Sequence, residues 1–205
     1  MRYFIFDVDG TLIDTEKMYM LPLHKVLLEN GYNFSYEDVV KLFGITSMDT
    51  VRSLGVKSPV DIRDKWFAKI KDYTQYAHVY DGIEAVVKKL HADPNVKTAI
   101  ATSKVEAEFH RDVTKFGLDQ YFDAFVFSNE IKNGKPAPDM ILKGIEKLDS
   151  DPSATIYIGD TKFDLQAAHA AKVKFALAGW RTKKSADFAK ADYDLTTPAD
   201  LLTIK

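Results

Sequence analysis

A short apolar run near the N-terminus leads directly into two carboxylates: Tyr3-Phe4-Ile5-Phe6-Asp7-Val8-Asp9-Gly10-Thr11-Leu12. Tyr3–Phe6 has the length and composition of a buried β-strand. Asp7 and Asp9 therefore stand at the carboxyl end of that strand, and open α/β sheets bind their ligands at this end. The segment predicts a ligand site beside the first strand of a parallel sheet.

Further β-type runs recur along the chain, with amphipathic helical patterns between most of them: Thr98–Ala101, Ala124–Phe127, Thr155–Ile158 and Lys174–Leu177. The apolar residues of Ile83–Leu90, for example, recur at i, i+3, i+4 and i+7, which is one buried helical stripe. This alternation predicts an α/β fold, a Rossmann-like parallel sheet with helices on both faces.

The segment from about Asp14 to Tyr80 interrupts the alternation, because it contains helix starts but no convincing strand. Ser35 precedes acidic residues of a first helical turn, and Ser58-Pro59 puts a capping residue before a proline at the first helical position. We therefore expect an inserted all-helical cap at residues 14–80. The core would then comprise residues 1–13 and 81–205, with hinges near 12–16 and 78–82.

The composition excludes several classes of protein. Of the 205 residues, 46% are apolar and 28% are charged, and 28 basic and 30 acidic residues nearly cancel, as in a soluble globular protein. Because the chain has no cysteine, any metal must be held by oxygen or imidazole ligands. No basic cluster and no long apolar run is present, so we expect a cytoplasmic protein without a nucleic-acid or membrane partner. These patterns do not distinguish a monomer from a homodimer.

A second acidic cluster follows the run Thr155–Ile158, in the segment Gly159-Asp160-Thr161-Lys162-Phe163-Asp164. Asp160 and Asp164 are four residues apart and face the same side if a helix begins near Thr161. Either residue alone could be a helix-capping acid. Four carboxylates at one mouth of a sheet would repel one another, and the hard cation Mg²⁺ with its preference for oxygen ligands resolves that repulsion.

Two other segments carry groups that suit a phosphate. The run Thr98–Ala101 leads into Thr102 and Ser103, whose hydroxyl and backbone N–H at the start of a helix would bind phosphate oxygens. Lys135 precedes Pro136-Ala137-Pro138, and the two prolines fix the loop that aims this lysine. Simple helix capping and a solvated lysine are the ordinary alternatives for these residues.

In their order and spacing these segments resemble the four motifs of the haloacid dehalogenase-like (HAD) superfamily of phosphotransferases. Phe6–Leu12 resembles motif one, Thr102 motif two, Lys135 motif three, and Asp160 with Asp164 motif four. The helical insert is similar to the C1-type cap of that superfamily, and the combination is most similar to its phosphoglycolate phosphatase and β-phosphoglucomutase branch. The resemblance implies a Mg²⁺-dependent phosphatase that hydrolyses a small phosphorylated metabolite such as phosphoglycolate or a sugar phosphate.

The resemblance also implies a role for each residue. Asp7 would attack phosphorus and form an aspartyl phosphate, and Asp9 would protonate the leaving alcohol and then activate water. The implied metal ligands are the Asp7 side chain, the Asp9 main-chain carbonyl, Asp160 and, in support, Asp164. The groups implied to neutralise the phosphate oxygens are Thr102, the Ser103 N–H and Lys135.

Other activities of the superfamily fit less well. Its mutases carry a histidine and an arginine at cap positions where this chain has Tyr19 and Ser47, neither of which supplies a cation. Thr11 and the second acid Asp9 are typical of phosphatases rather than dehalogenases, and no cap lysine stands out for phosphonate hydrolysis. A non-catalytic phosphate-sensing regulator is the alternative of a different class. The segment Gly179-Trp180-Arg181 follows a predicted strand, and it either lines the cleft or packs its tryptophan on the sheet rim.

Overall fold

The computed structural model describes residues 1–204 of the chain. The strands are β1 (Arg2–Phe6), β2 (Ile13–Asp14), β3 (His78–Val79), β4 (Val96–Thr102), β5 (Ala124–Phe127), β6 (Thr155–Gly159), β7 (Lys174–Ala178) and β8 (Tyr193–Leu195). The α-helices are α1 (Glu16–Glu29), α2 (Tyr36–Val40), α3 (Ser47–Ser53), α4 (Pro59–Ile70), α5 (Ile83–Ala92), α6 (Glu106–Asp112), α7 (Asp139–Leu148) and α8 (Lys162–Ala170). Short 3₁₀ segments lie at Lys71–Tyr76, Thr114–Phe116, Asp119–Tyr121, Ser128–Glu130, Pro152–Ala154, Ala186–Phe188 and Pro198–Thr203.

Six strands form one parallel sheet in the order β5-β4-β1-β6-β7-β8. All five predicted strands belong to it, which confirms the predicted α/β fold. Phe6 at the end of β1 pairs with Ile100 of β4 and Ile158 of β6, so the carboxyl ends of these three strands lie side by side. The sixth strand, β8, was not predicted, because three residues at a sheet edge are too few to show a periodicity.

Helices cover both faces of the sheet, because successive side chains of a strand point to opposite faces. Phe4 and Phe6 of β1 belong to a hydrophobic cluster that includes residues of α5 and α6. Ile5, between them, belongs to the cluster on the other face with residues of α7 and α8. The apolar stripe of Ile83–Leu90 is buried as predicted.

The segment between β2 and β3 contains α1 to α4 and has a hydrophobic cluster of its own, which includes Trp66. Ser35 caps α2 as predicted, accepting a hydrogen bond from the Asp38 N–H, whereas Ser58 precedes α4 without a side-chain capping bond. At the predicted hinges, β2 and β3 form a two-residue antiparallel ladder. The insert therefore includes strand residues at its ends, because two extended chains side by side satisfy each other's backbone groups.

Within residues 1–204 no helix is both long enough and apolar enough to cross a bilayer.

Candidate active site

The strand ends bring the residues of motifs one and four together. Asp7 follows β1 directly, and its N–H donates to the Ile158 carbonyl of β6 at 2.9 Å. The chain then turns at Gly10, whose φ is +82°. A Cβ at that position would lie 2.3 Å from Asp160 Oδ2, so the turn requires glycine for its backbone conformation and for its close approach to Asp160.

Three buried carboxylates form the centre of the site. Asp7, Asp160 and Asp164 each present an oxygen, and these oxygens lie within 4.8 Å of one another. Burial raises the pKa of Asp7 to about 7, although the neighbouring Lys135 ammonium opposes that rise. Burial also raises the pKa of Asp160 well above its usual range, although Arg181 opposes it. The cluster is therefore deficient in positive charge.

Lys135 supplies one positive charge from within the cluster. Its Nζ lies 2.8 Å from Asp7 Oδ1 and 2.8 Å from Asp164 Oδ1, and its side chain is fully buried. Burial lowers the pKa of Lys135, but the carboxylates of Asp164 and Asp7 raise it by more, so the net shift is upward and the ammonium stays charged. The lysine predicted to be aimed by its two neighbouring prolines thus lies between two of the predicted acids.

Asp164 is engaged by protein groups on both carboxylate oxygens. Oδ2 accepts hydrogen bonds from Thr161 N at 3.0 Å and Thr161 Oγ1 at 2.6 Å, in the capping box that begins α8. Oδ1 accepts from the Tyr157 hydroxyl at 3.0 Å in addition to its ion pair with Lys135. Asp164 is therefore both the helix-capping acid considered from the sequence and a member of the acidic cluster.

Asp7 and Asp160, by contrast, each keep one buried oxygen without a hydrogen bond, Oδ2 in both residues. Arg181 Nε lies 3.2 Å from Asp160 Oδ2, but not in hydrogen-bonding alignment. Unpaired buried carboxylate oxygens are costly, and oxygens of this kind are the ligands that Mg²⁺ and Ca²⁺ prefer. The residues present thus fit a hard divalent cation.

Asp9 faces away from the acidic cluster. Its Oδ1 accepts a hydrogen bond from Thr15 Oγ1 at 2.5 Å and pairs with Lys104 Nζ at 2.9 Å. Asp9 lines a cavity of about 50 Å³, bounded on the other side by residues of the helical insert such as Trp66. The two acids of motif one therefore have separate surroundings, Asp7 among carboxylates and Asp9 beside a small cavity.

The motif-two residues lie beside β1 at the end of β4. Thr102 is buried, and its Oγ1 accepts from Lys104 N at 3.3 Å. The Ser103 hydroxyl donates to the Gly44 carbonyl of the insert at 2.8 Å, which leaves the Ser103 N–H as the group predicted for phosphate. The expected helix N-terminus at Ser103 is wrong, since α6 begins only at Glu106. The chain first bends so that Lys104 turns into the interior.

Comparison with known proteins identifies the family. The sequence profile of haloacid dehalogenase-like hydrolases matches residues 4–178. The chain belongs to this family. The match confirms the resemblance found in the four motifs and the expectation that the protein is an enzyme.

Named relatives of this HAD hydrolase cover its full length. A protein named phosphoglycolate phosphatase from Aquifex aeolicus is 32% identical over 211 residues, covering 100% of this chain and 96% of the relative. Pyrophosphatase PpaX from Oceanobacillus iheyensis is 26% identical over 213 residues, again covering 100% and 96%. The solved structure of a hydrolase from Pseudomonas syringae superposes with a TM-score of 0.87 at 21% identity, covering 99% of this chain and 97% of that one, so the two share a fold.

The HAD hydrolase has a buried lysine beside Asp9 to which the motifs assign no role. Lys104 donates to the Tyr19 hydroxyl at 2.6 Å in addition to its ion pair with Asp9. Tyr19 and Ser47, two residues of the insert that supply no cation, both line the same cavity. The cavity therefore has a cation, supplied by the core rather than by the insert. A lysine in a polar turn is usually solvated, so no sequence pattern indicates this role.

Arg181 is the second functional candidate that sequence reasoning left open. Its guanidinium lies beside Asp160 and also pairs with Glu16 in the first turn of α1. The same guanidinium lies 5.0 Å from the ring centre of Phe43, a residue of the insert. Arg181 thus lines the cleft and links the acidic cluster to the insert, while Trp180 donates its indole N–H to the Thr11 carbonyl at 3.0 Å.

Proposed function

We propose that this HAD hydrolase is a Mg²⁺-dependent phosphatase that hydrolyses a small phosphate monoester through an aspartyl phosphate on Asp7. The observation that carries the proposal is the separation of the two motif-one acids. Asp7 lies among carboxylates with one oxygen free of hydrogen bonds, and Asp9 lines the adjacent cavity. One acid is suited to act as a nucleophile and the other as an acid and base.

The reaction then follows from these positions. An Asp7 carboxylate oxygen forms a bond to phosphorus while the ester P–O bond breaks, and Asp9 gives its proton to the departing oxygen. Asp9 next takes a proton from water as the water oxygen attacks phosphorus, which releases inorganic phosphate and restores Asp7. The Lys135 ammonium 2.8 Å from Asp7 favours the ionised nucleophile.

The remaining predicted residues neutralise charge. Mg²⁺, when bound, would be held by the Asp7 side chain, the Asp9 carbonyl and Asp160, and would supply positive charge against the phosphate oxygens. Asp164 would support that site by orienting Lys135, since protein donors engage both of its own oxygens. The remaining phosphate-binding groups are Thr102, the Ser103 N–H and Lys135, whose charges and dipoles reduce the repulsion between an anionic phosphate and Asp7.

The cap would cover the leaving group. We assign residues 14–80 to the cap and residues 1–13 and 81–204 to the catalytic core, because the insert has its own hydrophobic cluster and a two-strand ladder at its ends. Lys205, which the sequence prediction also gives to the core, lies outside the described residues. The cavity between cap and Asp9 has room for only a few water molecules, at roughly 10–15 Å³ each. A small leaving group is in keeping with relatives named for phosphoglycolate and pyrophosphate.

Release of inorganic phosphate from a panel of small phosphate esters and pyrophosphate tests this function. We expect turnover with Mg²⁺, none in excess EDTA, and recovery when Mg²⁺ is restored. Asp7→Asn, which removes the nucleophile, is the matched inactive control. A phosphomutase would convert a sugar phosphate without stoichiometric phosphate release, and a non-catalytic regulator would release none from any ester, so either result would refute the proposal.

A further inference from the structure

The cavity beside Asp9 has walls of unequal chemistry. Most of it is apolar, with aromatic side chains such as Phe43 and Trp66, and its charged residues within the described part of the chain are Asp9, Lys104 and Glu108. Because the phosphorus must lie near Asp7, which does not line this cavity, the cavity beside Asp9 would receive the leaving group. A charge on that group would meet these three side chains in a setting of low polarity, where charges interact strongly.

Lys104 has a hydrogen-bond donor to spare in this cavity. An ammonium group has three N–H donors, and the hydrogen-bonding partners of Lys104 Nζ are Asp9 Oδ1 at 2.9 Å and the Tyr19 hydroxyl at 2.6 Å. Nζ also lies 3.9 Å from the centre of the Tyr19 ring, a contact that does not use a carboxylate or hydroxyl acceptor. The lysine side chain is only 5% exposed, so water does not easily satisfy the third donor. An anionic atom on the leaving group would do so.

A chain of buried contacts holds the ammonium in place. The Tyr19 hydroxyl, which accepts from Lys104, donates to Asp112 Oδ2. Asp112 is in turn bound by the adjacent Arg111 through two contacts of 2.7 Å, and these balance its charge. Lys104 is therefore oriented before a substrate arrives, which reduces the entropy lost on binding.

Because the cavity also contains two acidic side chains, binding of an anionic leaving group there depends on Lys104. Asp9 is its ion-pair partner, and Glu108 also lines the cavity, with one oxygen accepting from Val105 N at 3.2 Å. An anionic leaving group meets attraction from Lys104 and repulsion from Glu108, and also from Asp9 in the steps in which Asp9 is ionised. Without the lysine only the repulsion would remain, whereas an uncharged leaving group would be affected far less.

We propose that Lys104 is the specificity-determining residue that selects substrates whose small leaving group carries its own negative charge, a carboxylate or a phosphate. This inference rests on the proposed phosphatase function. It adds that the leaving group is negatively charged and that Lys104 binds that charge. Tyr19 is the positioning residue for Lys104.

The test compares two esters of equal size that differ in charge, phosphoglycolate and its neutral amide, phosphoglycolamide. We expect the wild-type enzyme to prefer the anion by about 10- to 100-fold in kcat/KM, the effect of one hydrogen bond to a charged group. Lys104→Met should lower the ratio to about one or below, and Lys104→Arg should keep part of it. Tyr19→Phe should lower the ratio by a smaller factor, chiefly through KM for the anion.

The ratio of kcat/KM for the two esters tests the proposed role specifically. A substitution that merely disturbs Asp9 would slow both esters and leave their ratio unchanged. Lys132→Met is the matched control, since Lys132 is an exposed lysine of the wider cleft and should leave the ratio unchanged. Circular dichroism checks that each variant folds. If Lys104→Met does not fold, the preference of the wild-type enzyme for the anionic ester is the test. A wild-type ratio near one, or an unchanged ratio in folded Lys104→Met, would overturn the role of Lys104 while phosphate release still upheld the phosphatase. Failure to hydrolyse any ester would instead refute the proposed function.

Discussion

Replacing Lys135 with methionine removes the charge at the centre of the acidic cluster while keeping a side chain of similar length. The lysine is fully buried and lies 2.8 Å from carboxylate oxygens of both Asp7 and Asp164, whose side chains are 2% and 0% exposed. Removing one partner of a buried ion pair costs about 3–5 kcal/mol, because the other charge is left without compensation. We expect a loss of that size in the free energy of unfolding of the metal-free protein near pH 8.

The loss should be smaller at about pH 5.5. The pKa of Lys135 is raised above its ordinary value, so the lysine and its contribution persist throughout this pH range. The pKa of Asp7 is about 7, so at pH 5.5 this carboxyl is mostly protonated and has less need of a cation. Mg²⁺ at pH 8 should likewise restore part of the lost stability, since it supplies positive charge to the same oxygens.

Urea unfolding followed by circular dichroism measures these differences in EDTA and in Mg²⁺. Lys143→Met is the matched control, because Lys143 pairs with Glu146 on the surface at 2.7 Å. Exposed pairs of this kind contribute at most about 1 kcal/mol. A loss below about 1 kcal/mol for Lys135→Met, or an equal loss at both pH values, would refute the argument that the lysine compensates buried carboxylates.

Three further predictions concern the reaction and the metal. Asp7→Asn should abolish phosphate release while the circular dichroism spectrum stays unchanged, and wild-type turnover by a verified, undeamidated variant would exclude Asp7 as the nucleophile. Asp9→Asn should slow release of the alcohol from an alkyl phosphate by ~10²–10⁴-fold in single-turnover experiments, because the general acid is lost. Release from an aryl phosphate, whose anion is a good leaving group, should slow much less. Equal losses for the two esters would show that another residue is the general acid. The pKa of Asp7 is about 7 in the folded protein, against an ordinary value of 3.8. Between these pH values the folded protein keeps a proton on Asp7 that the unfolded chain has lost. The free energy of unfolding of the metal-free protein therefore falls as pH rises from about 4 to 7. Mg²⁺ affinity, measured by calorimetry, should therefore increase with pH up to about 7 and then level off, and a pH-independent affinity would contradict the assignment of Asp7 as a ligand.

Local sequence patterns are enough to predict five strands of the sheet and the residues at its carboxyl edge. Short apolar runs such as Tyr3–Phe6 and Thr155–Ile158 are local patterns, and each leads into its acids within one or two residues. Parallel strands end at one edge of the sheet, so Asp7 and Asp160 are expected at the same edge. They meet because β1 lies beside β6, an order that the strand patterns do not specify. The order of the motifs was also sufficient to indicate the family that the profile confirmed.

Which charges compensate one another depends on how the folded chain packs. Lys104 meets the Tyr19 hydroxyl across 85 residues of sequence, and Arg181 meets Glu16 across 165. No local periodicity encodes such pairs, because they form only when the insert packs against the core. The same packing directs Asp9 to a cavity and Asp7 to the carboxylate cluster, although the two acids are separated by a single residue. The surroundings of a side chain are set by its neighbours in space, whereas sequence patterns report only its neighbours along the chain.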